Sequence, residues 1–338
     1  MKTLVFADPH WNDNIRDSYR HNFVKTLRTI AKEHDPDVIV LCGDLCDQKD
    51  KHSAWLVNKV VEHIHSLSQL CPVIILMGNH DYLMPDSPFY GFLGRLDNVV
   101  WFGVVADSFQ TLISLPRDFR ALFLPHTRDW KRDWAKLKFS GYDWVFAHQT
   151  FNGANVGFGR KLEGIPLDAV PPNTRVISGD IHVPQQLGPV TYVGAPYLIN
   201  FGDDYSPRVL LLDGKHKVSI PCPGPQKRLV EISSVNEFAL DAKTVGGLGE
   251  GDILKVRVNL LPEHKDKWNE IKDKVHKWGE AHGFQINIVQ PVFQGTQKAA
   301  TPTQPTYKDD KDLLNQFAKR HGIDGSMVKT GMWLMERN

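Results

Sequence analysis

Sulfur is scarce in this chain, with four cysteines in 338 residues. Cys42, Cys46, Cys71 and Cys222 stand apart, and the absence of a CxxC pair excludes a zinc knuckle. No stretch of about 18 uncharged apolar residues occurs, which a membrane-crossing helix would need. MKTLVFADPH has no long apolar run behind its one lysine. Neither a secretion signal nor a membrane span is therefore expected, and a reducing cytoplasm is the expected location. Neither sign of charge is in excess, since 40 Lys+Arg face 39 Asp+Glu for a net +1. A near-neutral chain cannot attract a polyanion through its overall field, so such affinity has to come from a local patch or a metal. A phosphate-cradling GxxxxGK[ST] loop is also missing, so the chain is not expected to hydrolyse nucleotides by itself.

What the sequence does have is a series of short apolar runs that end in polar groups. KTLVFAD (2–8), DVIVLCGD (37–44) and PVIILMGN (72–79) read as β-branched strands. Between them, Phe23, Leu27, Ile30 and Ala31, then Leu56, Lys59, Val60, His63 and Ile64, recur at helical spacing. Strand-helix-strand-helix-strand predicts a layered α/β sheet, whose ligands collect at the carboxyl ends of strands. From about residue 97 the runs NVVWFG, RALFLP, DWVFAH, TRVISGD, VTYVGAP and RVLLLDG predict further short strands.

Five of these strand ends carry groups that bind metals: Asp8 and His10, Asp44, Asn79, His148, and Asp180 with His182. One strand-end Asp or His is ordinarily a turn former. Seven at successive strand ends form a pattern, because catalytic groups gather on loops held by a rigid scaffold. Carboxylate, imidazole and amide oxygen suit divalent ions such as Mn²⁺, Fe²⁺, Zn²⁺ or Mg²⁺. Seven donors are too many for one tetrahedral ion with an open position, but they fit two ions sharing a bridge. Two ions about 3.5–4 Å apart can activate water and stabilise a phosphoryl group during in-line displacement. The residues predict a two-metal phosphoesterase.

In order, Asp8-x-His10, Gly43-Asp44, Gly78-Asn79-His80-Asp81, the isolated His148 and Gly179-x-x-His182 resemble the calcineurin-like metallophosphoesterase superfamily. Within it, TYVGAPYLINFGDD (191–204) and the tail most resemble the SbcD nucleases and their phage recombination-endonuclease relatives. The resemblance covers about residues 1 to 215. It implies a four-layer α/β β-sandwich flanked by helices, with a small α+β capping domain and C-terminal helices. It also implies that Asp8, His10 and His182 hold one ion, that Asn79, His148 and Asp180 hold the other, and that Asp44 bridges them. His80 would protonate the leaving oxygen, with Asp81 orienting its imidazole.

Two positions depart from the family pattern. Relatives commonly have GHxH where this chain has Gly179-Asp180-Ile181-His182, and the added carboxylate favours Mn²⁺ or Mg²⁺ over Zn²⁺. Mn²⁺ is the expected ion, with Mg²⁺ second. Relatives often place a His three residues after the bridging Asp, where this chain has Asp47. The sequence leaves open whether Asp47 or His52 takes that role.

Other features call for less. The tryptophans of helix-like stretches, Trp55, Trp130, Trp134, Trp268 and Trp278, are expected to pack, and RDWKRDWAK (128–136) to form a solvated helix face. FNGANVGFGRKLEG (151–164), glycine-rich and carrying Arg160 and Lys161, is a candidate substrate loop.

The expected domains are the nuclease at 1–225, a capping domain at 226–293 that helps orient DNA, a linker at 294–308, and partner-binding helices at 309–338. In the tail, Leu313, Leu314, Phe317 and Ala318, then Met327, Val328, Met332, Leu334 and Met335, offer more apolar surface than two short helices can bury against each other. The expected partners are DNA and an SMC-like, SbcC-type ATPase, with a homodimer inside the complex and the host cytoplasm as location if the chain is phage-encoded. The alternatives are a small-molecule phosphatase or cyclic-nucleotide phosphodiesterase of the same superfamily, or a weakly active scaffold altered at Asp180.

Overall fold

The computed structural model describes residues 1–107, 120–233, 247–293, Leu314, Ala318 and 324–329. Its first sheet is built on four parallel strands, β1 (Lys2–Phe6), β2 (Val38–Cys42), β3 (Val73–Leu76) and β4 (Val99–Phe102). Helices α1 (Tyr19–His34) and α2 (Ala54–Ser68) make the first two crossovers. The second sheet uses β5 (Ala106–Asp107), β6 (Ala121–Leu124), β7 (Trp144–His148), β8 (Val176–Gly179), β9 (Gln185–Leu187) and β10 (Val190–Tyr192), in the order β5-β6-β7-β8-β10-β9. The chain then returns to the first sheet through the antiparallel β11 (Arg208–Asp213) and β12 (His216–Pro221), which completes the order β12-β11-β1-β2-β3-β4.

The central strands are apolar on both faces because both faces are covered. Alternate residues of β2 divide between two cores. Val38, Val40 and Cys42 face the second sheet, where they meet Phe123, Phe146 and Ile177, while Ile39 and Leu41 face the helices. On the helix side lie Phe23, Val24, Leu27, Ile30 and Ala31 of α1 and Leu56, Val60, His63, Ile64 and Leu67 of α2. Lys59, expected on that buried stripe, lies on its flank and pairs with Glu62 at 2.8 Å, since a lysine has no partner inside an apolar core. α1 stops at Asp35, which is left-handed (φ 48°) and returns its N–H to the Ala31 carbonyl.

Loops cover the outer face of the second sheet, together with the single helical turn α3 (Trp130–Asp133). That turn begins at Asp129, whose side chain accepts from the Arg132 N–H. Trp134 just beyond it is buried against Phe139 and Phe151, while Arg128, Asp129, Lys131, Arg132, Ala135 and Lys136 of the RDWKRDWAK segment are exposed, as expected of a solvated face. Trp55, by contrast, stands half-exposed at the start of α2.

A third, separate sheet follows, consisting of the parallel strands β13 (Lys227–Ser233), β14 (Ile253–Leu260) and β15 (Gln285–Phe293). Helix α4 (Trp268–Ala281) connects β14 to β15 and buries Ile271 and Val275 in a core of its own with Val256 and Val258. This unit falls within the 226–293 segment expected as a capping domain. It touches the first sheet's loops through Lys227, whose ammonium lies 3.5 Å from Asp17, and through Gln285, which donates to the Arg16 carbonyl at 2.9 Å. The linker expected at 294–308 lies outside the described residues. Of the expected tail helices only Leu314, Ala318 and 324–329 are described, with 325–329 helical.

Candidate metal centre

Because β1, β2, β3, β7 and β8 all run the same way in their sheets, their carboxyl ends lie along one edge. Asp8 and His10 follow β1, Asp44 follows β2, Asn79 and His80 follow β3, His148 ends β7, and Asp180 and His182 follow β8. The structure brings all seven expected ligands together there. The two oxygens of Asp44 face different neighbours. Oδ1 lies 3.3 Å from His148 Nε2, and Oδ2 lies 3.5 Å from His10 Nε2. Around His148 Nε2 are Asn79 Oδ1 at 3.0 Å and Asp180 Oδ1 at 3.8 Å. Around His10 Nε2 is His182 Nε2 at 3.1 Å, and ligand atoms of Asp8, His10 and Asp44 lie within 4.8 Å of one another.

The ring tautomers suit ligation. His148 Nδ1–H donates to the Cys42 carbonyl at 2.6 Å, which turns Nε2 toward Asn79 and Asp44. His10 Nδ1 lies 3.2 Å from Asp47 Oδ1, so its Nε2 is likewise turned toward Asp44 and His182. Burial, aided by nearby His10, pushes His182 down to about 3, so its ring is neutral and can offer a lone pair.

The electrostatics show what the donor set needs. Asp8 and Asp44 are almost fully buried. Burial pushes Asp8 up to about 7 against the opposing pull of His148, with the Asp44 charge adding to the rise. Burial acts on Asp44 too, yet the His148, His10 and His80 rings hold it well below the usual carboxylate range. Burial also raises Asp180. One oxygen, Asp8 Oδ2, is buried without a hydrogen-bond partner among the described residues. Crowded carboxylates with an unsatisfied oxygen, beside the neutral His182 imidazole, fit divalent cations.

One residue has a task that differs from the one expected, and another gains one. Asp81 does not touch the His80 ring. Its carboxylate accepts from the backbone N–H groups of Gly78 (2.7 Å), Asp44 (3.0 Å) and Leu45 (2.9 Å), tying the GNHD turn to the turn that carries Asp44. The turn is closed by Asp81 N–H to the Gly78 carbonyl at 3.3 Å, and within it the Asp81 carboxylate is buried against these N–H groups while His80 turns to Asp47. It is the Asp47 carbonyl that holds the His80 ring, at 2.6 Å from Nδ1. Asp47 is therefore in contact with both His10 and His80, and it is held in turn by Arg20 (2.8 Å) and Asn12 (2.6 Å). Of the two residues weighed for that role, Asp47 lies against the centre, and His52 packs against the Phe89 and Tyr90 rings.

The glycines quoted with these motifs were given no role of their own from the sequence. A Cβ on Gly43 or Gly179 would fall on the His148 ring, and one on Gly78 would fall on Asp44. The signal for them was there, since each directly precedes a ligand or, at Gly78, the ligand Asn79. Asp8, His10, Asp44 and Asp180 themselves take left-handed backbone (φ 53°, 42°, 58° and 82°), which few residues with a Cβ adopt. Thr150, also missed, donates its hydroxyl to Asp180.

Comparison with known proteins agrees with this geometry. The model of the calcineurin-like phosphoesterase family matches residues 1–184. Among curated proteins, "Putative phosphoesterase 244L" of invertebrate iridescent virus 6 is 28% identical over 225 residues, covering 62% of this chain and 75% of that protein. "Putative phosphoesterase 078R" of invertebrate iridescent virus 3 is 26% identical over 194 residues, 54% of this chain and 53% of that protein, so this chain spans about half its length. Among solved structures, the E. coli phosphoesterase YfcE aligns with 63% of this chain and 88% of its own at 16% identity and a TM-score of 0.34. The Pseudomonas putida nuclease MPE aligns with 64% and 87% at 14% identity, also at 0.34, and neither likeness bears on substrate. Among the described residues no helix is long and apolar enough to cross a membrane. With the family model matching more than half of the chain, from β1 through β8 and every donor of the metal centre, the chain belongs to the calcineurin-like phosphoesterase family, whose members use divalent metals.

Proposed function

We propose that this chain is a two-metal phosphodiesterase that cleaves DNA, an SbcD-like nuclease subunit acting as a homodimer with an SMC-like ATPase in recombination or repair. The observation that carries the two-metal reading is the division of Asp44, each of whose oxygens faces a separate donor set. On this reading Asp8, His10 and His182 would hold one ion and Asn79, His148 and Asp180 the other, with Asp44 between the two sets. Asp180, in the place of an imidazole, favours Mn²⁺, with Mg²⁺ next. When bound, the pair supplies an activated water and neutralises the phosphoryl oxygens.

The chain's own residues do the rest. His80 lies beside His10, ring centroids 4.9 Å apart, with Nδ1 held by the Asp47 carbonyl. Its imidazolium would carry a proton at Nε2 for the leaving oxygen. Asp47 orients His10 and His80 together, and Asp81 fixes the backbone on which Asp44 and Asn79 stand. An extended substrate is supported by the third sheet, residues 226–293 read as a capping domain, because Lys227 and Gln285 touch the Arg16–Asp17 loop that follows His10. A small-molecule phosphatase has no use for such a unit or for an amphipathic tail.

The deciding assay offers labelled linear duplex and single-stranded DNA with Mn²⁺, Mg²⁺ or EDTA, beside bis(p-nitrophenyl) phosphate. DNA cleavage in Mn²⁺ that EDTA abolishes is expected. Hydrolysis of the small diester without any cutting of DNA would favour the small-molecule reading. His80→Asn should slow cleavage by about 10²- to 10⁴-fold while metal content, measured by mass spectrometry, stays at the wild-type value. Parallel loss of metal would make His80 a ligand.

Metal affinity should depend on pH. With Asp8 at about 7 in the metal-free protein, a proton occupies the carboxyl below that pH and must leave before a cation binds. Apparent affinity by calorimetry should therefore fall from pH 8 to pH 6, approaching about tenfold per unit on the acid side, and a flat profile would remove Asp8 from the donor set. A chain ending at residue 295 should keep nuclease activity on short DNA and lose co-purification with the ATPase and ATP-stimulated cleavage. Unfolding of the shortened chain would assign the tail to the core.

A further inference from the structure

The excursion between His148 and Asp180 is anchored to the metal centre at its feet and exposed at its tip. Thr150, two residues past His148, donates to the Asp180 carboxylate and accepts from the Ile165 N–H at 2.9 Å, so both feet of the excursion meet at a ligand. Halfway up, Asn155 and Gln185 exchange two hydrogen bonds of 2.9 and 2.7 Å, and Gln185 lies three residues past His182. The ladder continues through Gly153 N–H to the Leu162 carbonyl and Val156 N–H to the Arg160 carbonyl. A built hairpin thus stands on the segments that carry His148, Asp180 and His182.

Its tip is three successive left-handed residues, Gly157 (φ 93°), Phe158 (φ 52°) and Gly159 (φ 71°). Glycine takes this conformation without penalty, whereas a residue with a Cβ is strained there and an aromatic has no local hydrogen bond to offset the strain. Phe158 is also 80% exposed, one of the most exposed large apolar side chains among the described residues. The edge of its ring rests over Gly202, where a side chain would strike it. Arg160 and Lys161 beside it are exposed, and no ion pair to either is seen among the described residues. Neither the strain nor the exposed ring helps the fold, and asparagine or glycine would close the turn at less cost.

We infer that this tip is a nucleic-acid contact: Phe158 stacks on a base of the DNA strand leading to the metal centre, and Arg160 and Lys161 face its phosphates. This rests on the nuclease reading above. A flat π-face flanked by cations matches a strand of bases and phosphates, and on a chain of net charge +1 such affinity has to be local. The reach is suitable. Phe158 lies eight positions past Thr150, at most about 26 Å in extended backbone, a span of about eight phosphates along one strand of a duplex.

The test uses the full chain with Mn²⁺, measuring kcat and KM on a single-stranded oligonucleotide and on bis(p-nitrophenyl) phosphate. Phe158→Ala should raise KM for the oligonucleotide about 5- to 150-fold, the loss of one stacked base, with hydrolysis of the small diester at its wild-type rate. Phe158→Trp should restore KM and Phe158→Leu should not, because stacking needs a flat ring and apolarity alone does not supply one. Replacing both Arg160 and Lys161 by Ala should flatten the dependence of log affinity on log salt by about 1.4. An unchanged oligonucleotide KM in Phe158→Ala, in a wild type that cuts DNA, overturns the contact and leaves the nuclease reading standing. Loss on both substrates together also overturns it, because the tip would then be structural. A wild type that hydrolyses the small diester and does not bind the oligonucleotide overturns both.

Discussion

One hydrogen bond between the two sheets sets the rest of the centre in place, from His148 Nδ1 on β7 to the Cys42 carbonyl at the end of β2. It fixes the His148 tautomer and turns its second nitrogen toward Asn79 and Asp44. It also fixes the approach of the sheets at this edge, close enough that the ring fills the space where side chains on Gly43 and Gly179 would be. The packing of Val40, Phe146 and Ile177 between the sheets supplies the apolar drive for that approach. The glycines let it finish in contact. Were the sheets held apart by even a methyl at Gly43, donors from β7 and β8 could not share Asp44 with donors from β1.

Collecting this many acids at a buried edge is unfavourable unless a cation is present. Asp8, Asp44, Asp81 and Asp180 occupy one small volume, and burial raises all of them except Asp44, which the surrounding imidazoles hold down. Asp81 meets this with three backbone N–H groups and is satisfied within the protein. Asp8 Oδ2 is not satisfied. The difference separates a carboxylate that organises the backbone from one that faces the chemistry, although both are acids near the end of a strand. A structural acid is recognised by having all its acceptors filled from its own chain.

That distinction marks how far the sequence could be read. Strand order in the first half, the buried stripes of α1 and α2, and the convergence of Asp8, His10, Asp44, Asn79, His148, Asp180 and His182 are legible, because each follows from periodicity or from position at a strand end. The direction of a side chain leaving a turn is not. Adjacent residues of the GNHD turn point to opposite sides, so the sequence could not show that Asp81 reaches Asp44 N–H or that His80 meets the Asp47 carbonyl. Asp47 was ambiguous for the same reason, since its role depends on Arg20 and Asn12 reaching it from 27 and 35 residues away. Lys59 satisfied the helical spacing and still lies outside the core, because spacing locates a face and chemistry decides which of its margins is dry.

Four of the seven non-glycine residues with left-handed backbone, among those described, are proposed ligands. The strain at Asp8, His10, Asp44 and Asp180 is tolerable because each turn is bonded on both sides. Asp8 N–H donates to the Gly43 carbonyl at 3.2 Å, His10 N–H to the Asp44 carbonyl at 3.1 Å, and Asp180 N–H to Asp8 Oδ1 at 3.0 Å. The turns of β1, β2 and β8 therefore hold one another, and α1 adds Arg20, whose guanidinium donates to the His10 carbonyl at 2.6 Å. Releasing one turn to a relaxed conformation would break bonds in its neighbours, so the left-handed geometry is held collectively. That coupling keeps ligands from separate strands in register when repulsion among the carboxylates would drive them apart, so the donor set stays gathered at one edge.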